Sequence, residues 1–279
     1  MGTASAKIWY VDDSGGADFT KIQEAVNTAN ERDTIIVMDG SYDENIVINK
    51  PLTLRSENGP SNCKIIGVSR DDYCSWGWPW QEDHVVEVSA DCVSIIGFTI
   101  VGTEAPNHPY QKSGGSGILL NRSANSEIKD NTLVSNMVNG VYLSHSNNNI
   151  IKNNIAKDNT HGIYLEDSDS NQILNNTVSG NELRGIYVSG KNNIIKYNYK
   201  AEGFRRSYFD FGGNIFEDNK ELIDEKSMAT KTPTTSQTAT PTGESPEIPT
   251  GEEKGIPGFE VVFTIIGLLA VAYILGRRK

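Results

Sequence analysis

Three of the four tryptophans, Trp76, Trp78 and Trp80, crowd into the stretch SRDDYCSWGWPWQEDH at residues 69–84. Tyr73, Glu82, Asp83 and His84 stand beside them. Aromatic rings near carboxylates suit recognition of a pyranose: ring faces pack on the sugar and carboxylates take its hydroxyls. The same tryptophans admit a second reading, a packed seal along the flank of the fold. They alternate with Gly77 and Pro79, so one ring can face in while its neighbours face out. A second stretch, TEAPNHPYQKSGGS at residues 103–116, adds Glu104, His108 and Tyr110. Were this surface catalytic, Asp71, Asp72, Glu82, Asp83, His84, Glu104 and His108 would be its candidate acids and bases.

Other groups carry less chemistry. His161 and Arg184 directly precede Gly162 and Gly185, and with Asn139 they form a polar row. A histidine and an arginine without a carboxylate make a poor catalytic set but a fair sugar or anion contact. Glu166, Asp167 and Asp169 would suit calcium or an acid–base pair; the plain alternative is a solvated corner. His145 reads as a surface side chain. Of the three cysteines, Cys63 would pair with Cys92 or with Cys74 in an oxidising compartment, or all three are thiols.

What positions these residues is a repeat. The phrases GILL, GVYL, GIYL and GIYV begin at Gly117, Gly140, Gly162 and Gly185, in steps of 23, 22 and 23. Asn131, Asn154, Asn176 and Asn198 step by 23, 22 and 22, each with an isoleucine three places earlier. Asn136, Asn159 and Asn181 keep the same period. A period this short with β-type runs means a solenoid. The leucine frame of a leucine-rich repeat is missing, so each period is one coil of a parallel β-helix. Ile, Val, Leu and Tyr should point inward, and Asn should mark corners, where it tolerates left-handed backbone and can bond to its copy one coil away. The repeated Asn residues are therefore structural. The two aromatic stretches interrupt successive coils at one phase, which makes them neighbours on one side.

Elsewhere, Ile22, Ala25, Val26 and Ala29 lie on one helical face, which predicts a capping helix over residues 18–30 with Asp18 as N-cap. TIIVM, NIVI, LTL, KII and VVEV read as strands. Residues 227–254 are rich in Thr, Pro, Ser and Glu and have little to bury, the composition of an extended stalk. FEVVFTIIGLLAVAYIL at residues 259–275 carries one charge and is followed by Arg277, Arg278 and Lys279, which predicts a membrane-spanning tail with the preceding chain outside. The start MGTASAKIWY lacks an apolar export segment, so the expectation is a signal already removed or a start placed too late. A net charge of −11 argues against a nucleic-acid partner. Asn121-Arg-Ser and Asn175-Asn-Thr are formal glycan acceptors; Asn175 adjoins an Asn-marked corner, which disfavours it.

The stretch YVDDSGGADFTKIQEAVNTA with GSYDENIVI resembles the opening of pectin methylesterases. The coil phrases G-I-Y-L and N-x-I-x-x-N resemble still more closely the NosD-like, carbohydrate-binding and sugar-hydrolase (CASH) β-helix proteins of archaeal surfaces. Gly255-Ile256-Pro257-Gly258-Phe259, the apolar run and the basic end resemble a PGF-type sorting signal, which implies surface anchoring with the tail removed and replaced by lipid. The methylesterase likeness implies two aspartates, an arginine and oxyanion glutamines, but its Gln-Asp and Leu-Gly-Arg-Pro-Trp motifs are missing. Asp210-Phe211-Gly212-Gly213-Asn214 only echoes that family's Asp-Phe-Ile-Phe-Gly. The expected organisation is a cap (residues 1–33), a right-handed parallel β-helix (34–226), a stalk (227–254) and a transmembrane or sorting tail (255–279). The expected function is a non-catalytic cell-surface module that binds glycan or contributes to the envelope, without a cofactor beyond calcium. The alternatives are a polysaccharide-active lyase, hydrolase or esterase, and a NosD-like metal-handling accessory, the latter poorly served by four histidines without a Cys/His cluster.

Overall fold

The computed structural model describes residues 5–68, 84–102, 115–201, 208–210 and 212–222. They form a parallel β-solenoid whose coils stack their strands into three sheets, of nine, eight and seven strands. The A-sheet includes Ile8–Val11, Thr34–Val37, Thr53–Ser56, Ser94–Ile96, Glu127–Lys129, Ile150–Lys152, Gln172–Leu174, Ile194–Lys196 and Ile215–Glu217. The B-sheet runs from Gly40–Asp43 to Lys220–Leu222. The C-sheet stacks Ile46–Ile48, Val86–Val88, Ile118–Asn121, Asn139–Ser144, His161–Glu166, Arg184–Val188 and Tyr208–Asp210. All pairings are parallel and in register with the sequence period, so like side chains stack.

The core is built from such stacks. Ile95, Ile128, Ile151, Ile173 and Ile195 form one buried A-sheet column. Ile100, Leu133, Ala156 and Val178 form its B-sheet counterpart. The C-sheet contributes pairs such as Val141 with Leu143 and Ile163 with Leu165. Strands only three or four residues long survive because each alternate side chain is removed from water, about 1.5–3 kcal/mol apiece.

Tyr142, Tyr164 and Tyr187 do not join this core. Each sits between two inward aliphatic residues of its strand, so the two-residue pleat turns it outward, and all three are half-buried on the outer face. The glycine of each repeat has a different cause. A Cβ on Gly162 would lie 2.5 Å from the Gly185 carbonyl oxygen and 3.0 Å from Asn181 Nδ2; on Gly140 it would meet the Gly162 carbonyl oxygen at 2.6 Å. Neighbouring coils approach too closely there for any side chain.

Corners are held by buried asparagine ladders. Asn131 Nδ2 donates to Asn154 Oδ1 at 3.1 Å, Asn154 to Asn176 at 3.0 Å, Asn176 to Asn198 at 3.0 Å and Asn198 to Asn219 at 3.0 Å. In each, the backbone N–H above also donates to the same oxygen. Asn136, Asn159 and Asn181 repeat this between the B- and C-sheets. A further ladder, Asn149, Asn171, Asn193 and Asn214, joins the C- to the A-sheet. These side chains do not occupy left-handed backbone. The positive φ angles fall one residue earlier, at Asp130, Asn153, Asn175 and Tyr197 (φ +57°, +56°, +53° and +58°). The turn is made by the exposed residue so that the next one can point inward.

The N-terminal helix is shorter than residues 18–30. It spans Ile22–Thr28, and its N-cap is Lys21 without a side-chain hydrogen bond. Phe19 is drawn into a parallel bridge with Val11, and Asp18 instead accepts the Tyr10 N–H. The first helical N–H groups are taken by Glu44, whose carboxylate oxygens lie 2.8 Å from Ile22 N and 2.9 Å from Gln23 N. Ile22, Ala25 and Val26 are buried against the solenoid. The strand Ile8–Val11, upstream of Thr34, pairs with Thr34–Val37 and belongs to the A-sheet. Asp33 fixes it, accepting from Lys7 N at 2.7 Å, Trp9 Nε1 at 3.0 Å and Asn30 N at 2.9 Å.

Candidate functional site

Residues 69–83 and 103–114 both interrupt the step from the B-sheet to the C-sheet. The strands they leave, Cys63–Ile66 and Thr99–Val101, are paired, as are the strands they rejoin, Val86–Val88 and Ile118–Asn121. Tyr73, Trp76, Trp78, Trp80, Glu82, Asp83, Glu104, His108 and Tyr110 lie outside the described residues, with Asp71, Asp72 and Cys74. The returning ends are described. His84 Nδ1 accepts the Ser116 N–H at 2.9 Å, which leaves the ring proton on Nε2.

From that contact a polar row runs along one margin of the C-sheet. Asn139 Nδ2 donates to Ser116 Oγ at 3.0 Å, and Asn139 Oδ1 lies 3.1 Å from His161 Nδ1. His161 is in register with Arg184. Burial, and then the Arg184 charge, hold the His161 pKa below the usual imidazole value, so the ring is neutral at neutral pH and donates to Asn139.

Beside this row stand the three outward tyrosines, in register one coil apart. Tyr164 and Tyr187 are stacked with centroids 4.3 Å apart and planes 7° apart. Arg184 lies over the Tyr187 ring at 4.5 Å, and Tyr142 meets Tyr164 edge-on at 5.5 Å. The Tyr164 and Tyr187 faces are thus partly taken by each other. The Tyr142 hydroxyl donates to Glu166 Oε2. Burial, with Tyr187 and Glu166 nearby, pushes the Tyr164 hydroxyl up to about 12, so it stays protonated as a donor. Sequence reasoning assigned these tyrosines to the core; strict alternation about Val141–Leu143 and Ile163–Leu165 was the signal that turns them out.

The acidic trio does not converge. Glu166 faces Tyr142, Asp167 Oδ2 lies 3.7 Å from His145 Nε2, and Asp169 accepts the Lys191 N–H at 2.7 Å. Asp167 and Asp169 line a shallow cleft with Ser189, Gly190, Lys191 and Gly212, where the chain passes from the C-sheet to the A-sheet. Among the described residues, no three His, Cys, Asp or Glu side chains are grouped to hold a metal. Cys63 and Cys92 are free thiols, not a pair; burial pushes the Cys63 thiol up to about 12. Asn214, from the faint methylesterase echo, belongs to a ladder.

A family model described as "Periplasmic copper-binding protein (NosD)" matches residues 95–240, just over half of the sequence. The chain belongs to the NosD family. A PGF-CTERM motif matches residues 256–278. A cell surface glycoprotein of Methanothermus fervidus is 35% identical over 124 residues, which are 44% of this chain and 17% of that protein; the chain therefore spans under a fifth of that relative. Among solved structures, an alginate lyase from Paenibacillus sp. is similar over 79% of this chain and 78% of its own, with a TM-score of 0.59 at 17% identity. A pectin methylesterase covers 83% and 96%, with a TM-score of 0.42 at 14% identity. The likeness to the lyase is of fold alone. The sorting motif and the surface relative put this NosD-family protein at the extracellular face of the cell, anchored through its C-terminus.

The family description names copper, and the described residues do not fit a copper centre. His84, His145 and His161 are hydrogen-bonded to Ser116, Ser144 and Asn139 respectively, and among the described residues none belongs to a group of three potential metal ligands.

Proposed function

We propose that this is a non-catalytic cell-surface module that binds glycan along the outer face of the C-sheet. One observation carries the reading: the row from His84 to Arg184 adjoins the Tyr142–Tyr164–Tyr187 stack and begins where both aromatic stretches rejoin the solenoid. Hydroxyls, an amide, a neutral imidazole and one guanidinium at a fixed spacing of about 4.8 Å suit a ligand that is itself a chain of hydroxyl-bearing rings. Trp76, Trp78, Trp80 and Tyr73, with Tyr110 of the second stretch, would supply the open ring faces that the paired tyrosines do not. Glu82, Asp83, Glu104 and His108 would contact sugar hydroxyls. The cap at residues 1–33 would close one end of the β-helix. The Thr/Pro-rich residues 227–254 would space it from the membrane that the tail, residues 255–279, engages.

The test is a glycan array probed with the full chain and with Arg184→Ala, read for both retention and product release. Arg184→Ala should weaken binding about tenfold, the loss of one charged contact of about 1.4 kcal/mol, with the far-UV spectrum unchanged. Product release would overturn the reading in favour of a polysaccharide-active enzyme. Undiminished binding by Arg184→Ala, or no retained glycan, would overturn it as well.

A further inference from the structure

We infer that Asn175 carries an N-linked glycan, at a corner of the solenoid remote from the C-sheet face. The sequence holds two Asn-x-Ser/Thr acceptors, and the fold treats them oppositely. Asn175 lies between the A- and B-sheets, on the outward turn row with Asp130, Asn153 and Tyr197, all in left-handed backbone. Its side chain is exposed, whereas its neighbour Asn176 is fully buried in the ladder. The Asn175 amide makes one described hydrogen bond through its side chain, Nδ2 to Asn153 Oδ1 at 2.8 Å. A primary amide has two N–H groups, so one can be replaced by sugar while the other keeps that contact. Tyr197, one coil on in the same row, is 53% exposed and offers apolar surface beside the attachment point. Thr177, whose hydroxyl completes the acceptor, is half-buried on the outer face of its strand.

Asn121 differs at each point. It is the half-buried last residue of Ile118–Asn121, in register with Ser144. The hydroxyl residue of its acceptor, Ser123, is 0% exposed; its Oγ donates to the Ala90 carbonyl at 2.7 Å, and its N–H is held by Ser146. Once the coil is wound, a transferase cannot reach that hydroxyl.

The co-reactant is an oligosaccharide activated on a lipid phosphate, delivered by a transferase on the outer face of the membrane. Asn175 Nδ2 bonds to the anomeric carbon, the carbon–oxygen bond to phosphate breaks, and the lipid phosphate leaves with that electron pair. The amide releases one proton to solvent. Extracellular placement makes such chemistry accessible to the chain.

The experiment is peptide mapping by mass spectrometry of the full chain, isolated from an archaeal host that glycosylates exported proteins. Saccharide increments should appear on the tryptic peptide bearing Asn175, and vanish in both Asn175→Gln and Thr177→Val. Val is tolerated at Thr177 because Ile155 holds the same register position one coil earlier. Increments should persist in Ser123→Ala. An unmodified Asn175 peptide, or increments on Asn121 alone, would overturn the inference, and neither outcome bears on glycan binding by the C-sheet face.

Discussion

Replacing Asn154 by alanine tests the ladder as the element that holds the coils in register. Asn154 is fully buried. Its Oδ1 accepts from Asn131 N at 3.0 Å and Asn131 Nδ2 at 3.1 Å, and its Nδ2 donates to the Ile128 carbonyl at 2.9 Å and to Asn176 Oδ1 at 3.0 Å. Some partners keep a second contact: Asn131 Nδ2 still reaches the Ile95 carbonyl, and Asn176 Oδ1 still accepts the Asn154 N–H. The Asn131 N–H has one hydrogen and is left buried without an acceptor, which costs about 1–3 kcal/mol. The two lost donor bonds add about 1 kcal/mol each. The sum, about 4 kcal/mol, is a large part of the 5–15 kcal/mol typical of a domain. Asn153→Gly is the control. Asn153 is exposed, its φ of +56° suits glycine, and its contacts to Asp130 and Asn175 lie in water, so the change should stay within about 1 kcal/mol. Urea unfolding followed by far-UV circular dichroism gives the comparison. Because each coil contacts only its neighbours, hydrogen exchange should speed up in Glu127–Lys129 and Ile150–Lys152 more than in Thr34–Val37. An Asn154→Ala midpoint no lower than that of Asn153→Gly would refute the ladder's role.

Two further perturbations follow from the geometry. Asp33 is buried, which by itself would raise its pKa, but N–H donors from Lys7, Asn30 and Trp9 outweigh burial and hold it below the usual carboxylate range. A depressed carboxylate contributes stability that is present above its unfolded pKa and lost as pH falls through the folded one. Thermal midpoints between about pH 6 and about pH 3 should therefore fall more steeply for the native chain than for Asp33→Asn; parallel curves would contradict this. Gly162→Ala forces a Cβ to 2.5 Å from the Gly185 carbonyl oxygen and should cost about 1–3 kcal/mol in urea unfolding, while alanine at Gly15, with nothing within 4 Å, pays only for its φ of +90°. Equal losses at the two positions would mean that coil spacing relaxes freely.

The two asparagine series read in the sequence, and the isoleucine three places before one of them, are the columns that the fold stacks. The series Asn149, Asn171, Asn193 and Asn214 was hidden in part because Asn149 and Asn193 lie within runs of consecutive asparagines, where nothing local says which one turns inward. Asn175 was disfavoured as a glycan acceptor because it adjoins the corner residue Asn176, yet the corner buries Asn176 and leaves Asn175 exposed. Asp18 looked like the helix cap because Ser, Asn and Asp usually cap from within the segment; here Glu44, a coil away, performs that task, and no local pattern could announce it.

The sequence by itself determined the period, and with it the β-helix, because a solenoid places like over like and any repeat of inward Ile and Asn is written directly in the chain. It determined the surface address too, since a sorting signal is read as a linear string. Only the tertiary structure decided which face of each strand meets solvent, which asparagine of a run is buried, and that His84 and Ser116 extend the row of Asn139, His161 and Arg184. Those outcomes depend on the phase of the pleat and the register between coils, which are settled when neighbouring coils pack and exclude water, not within any one of them.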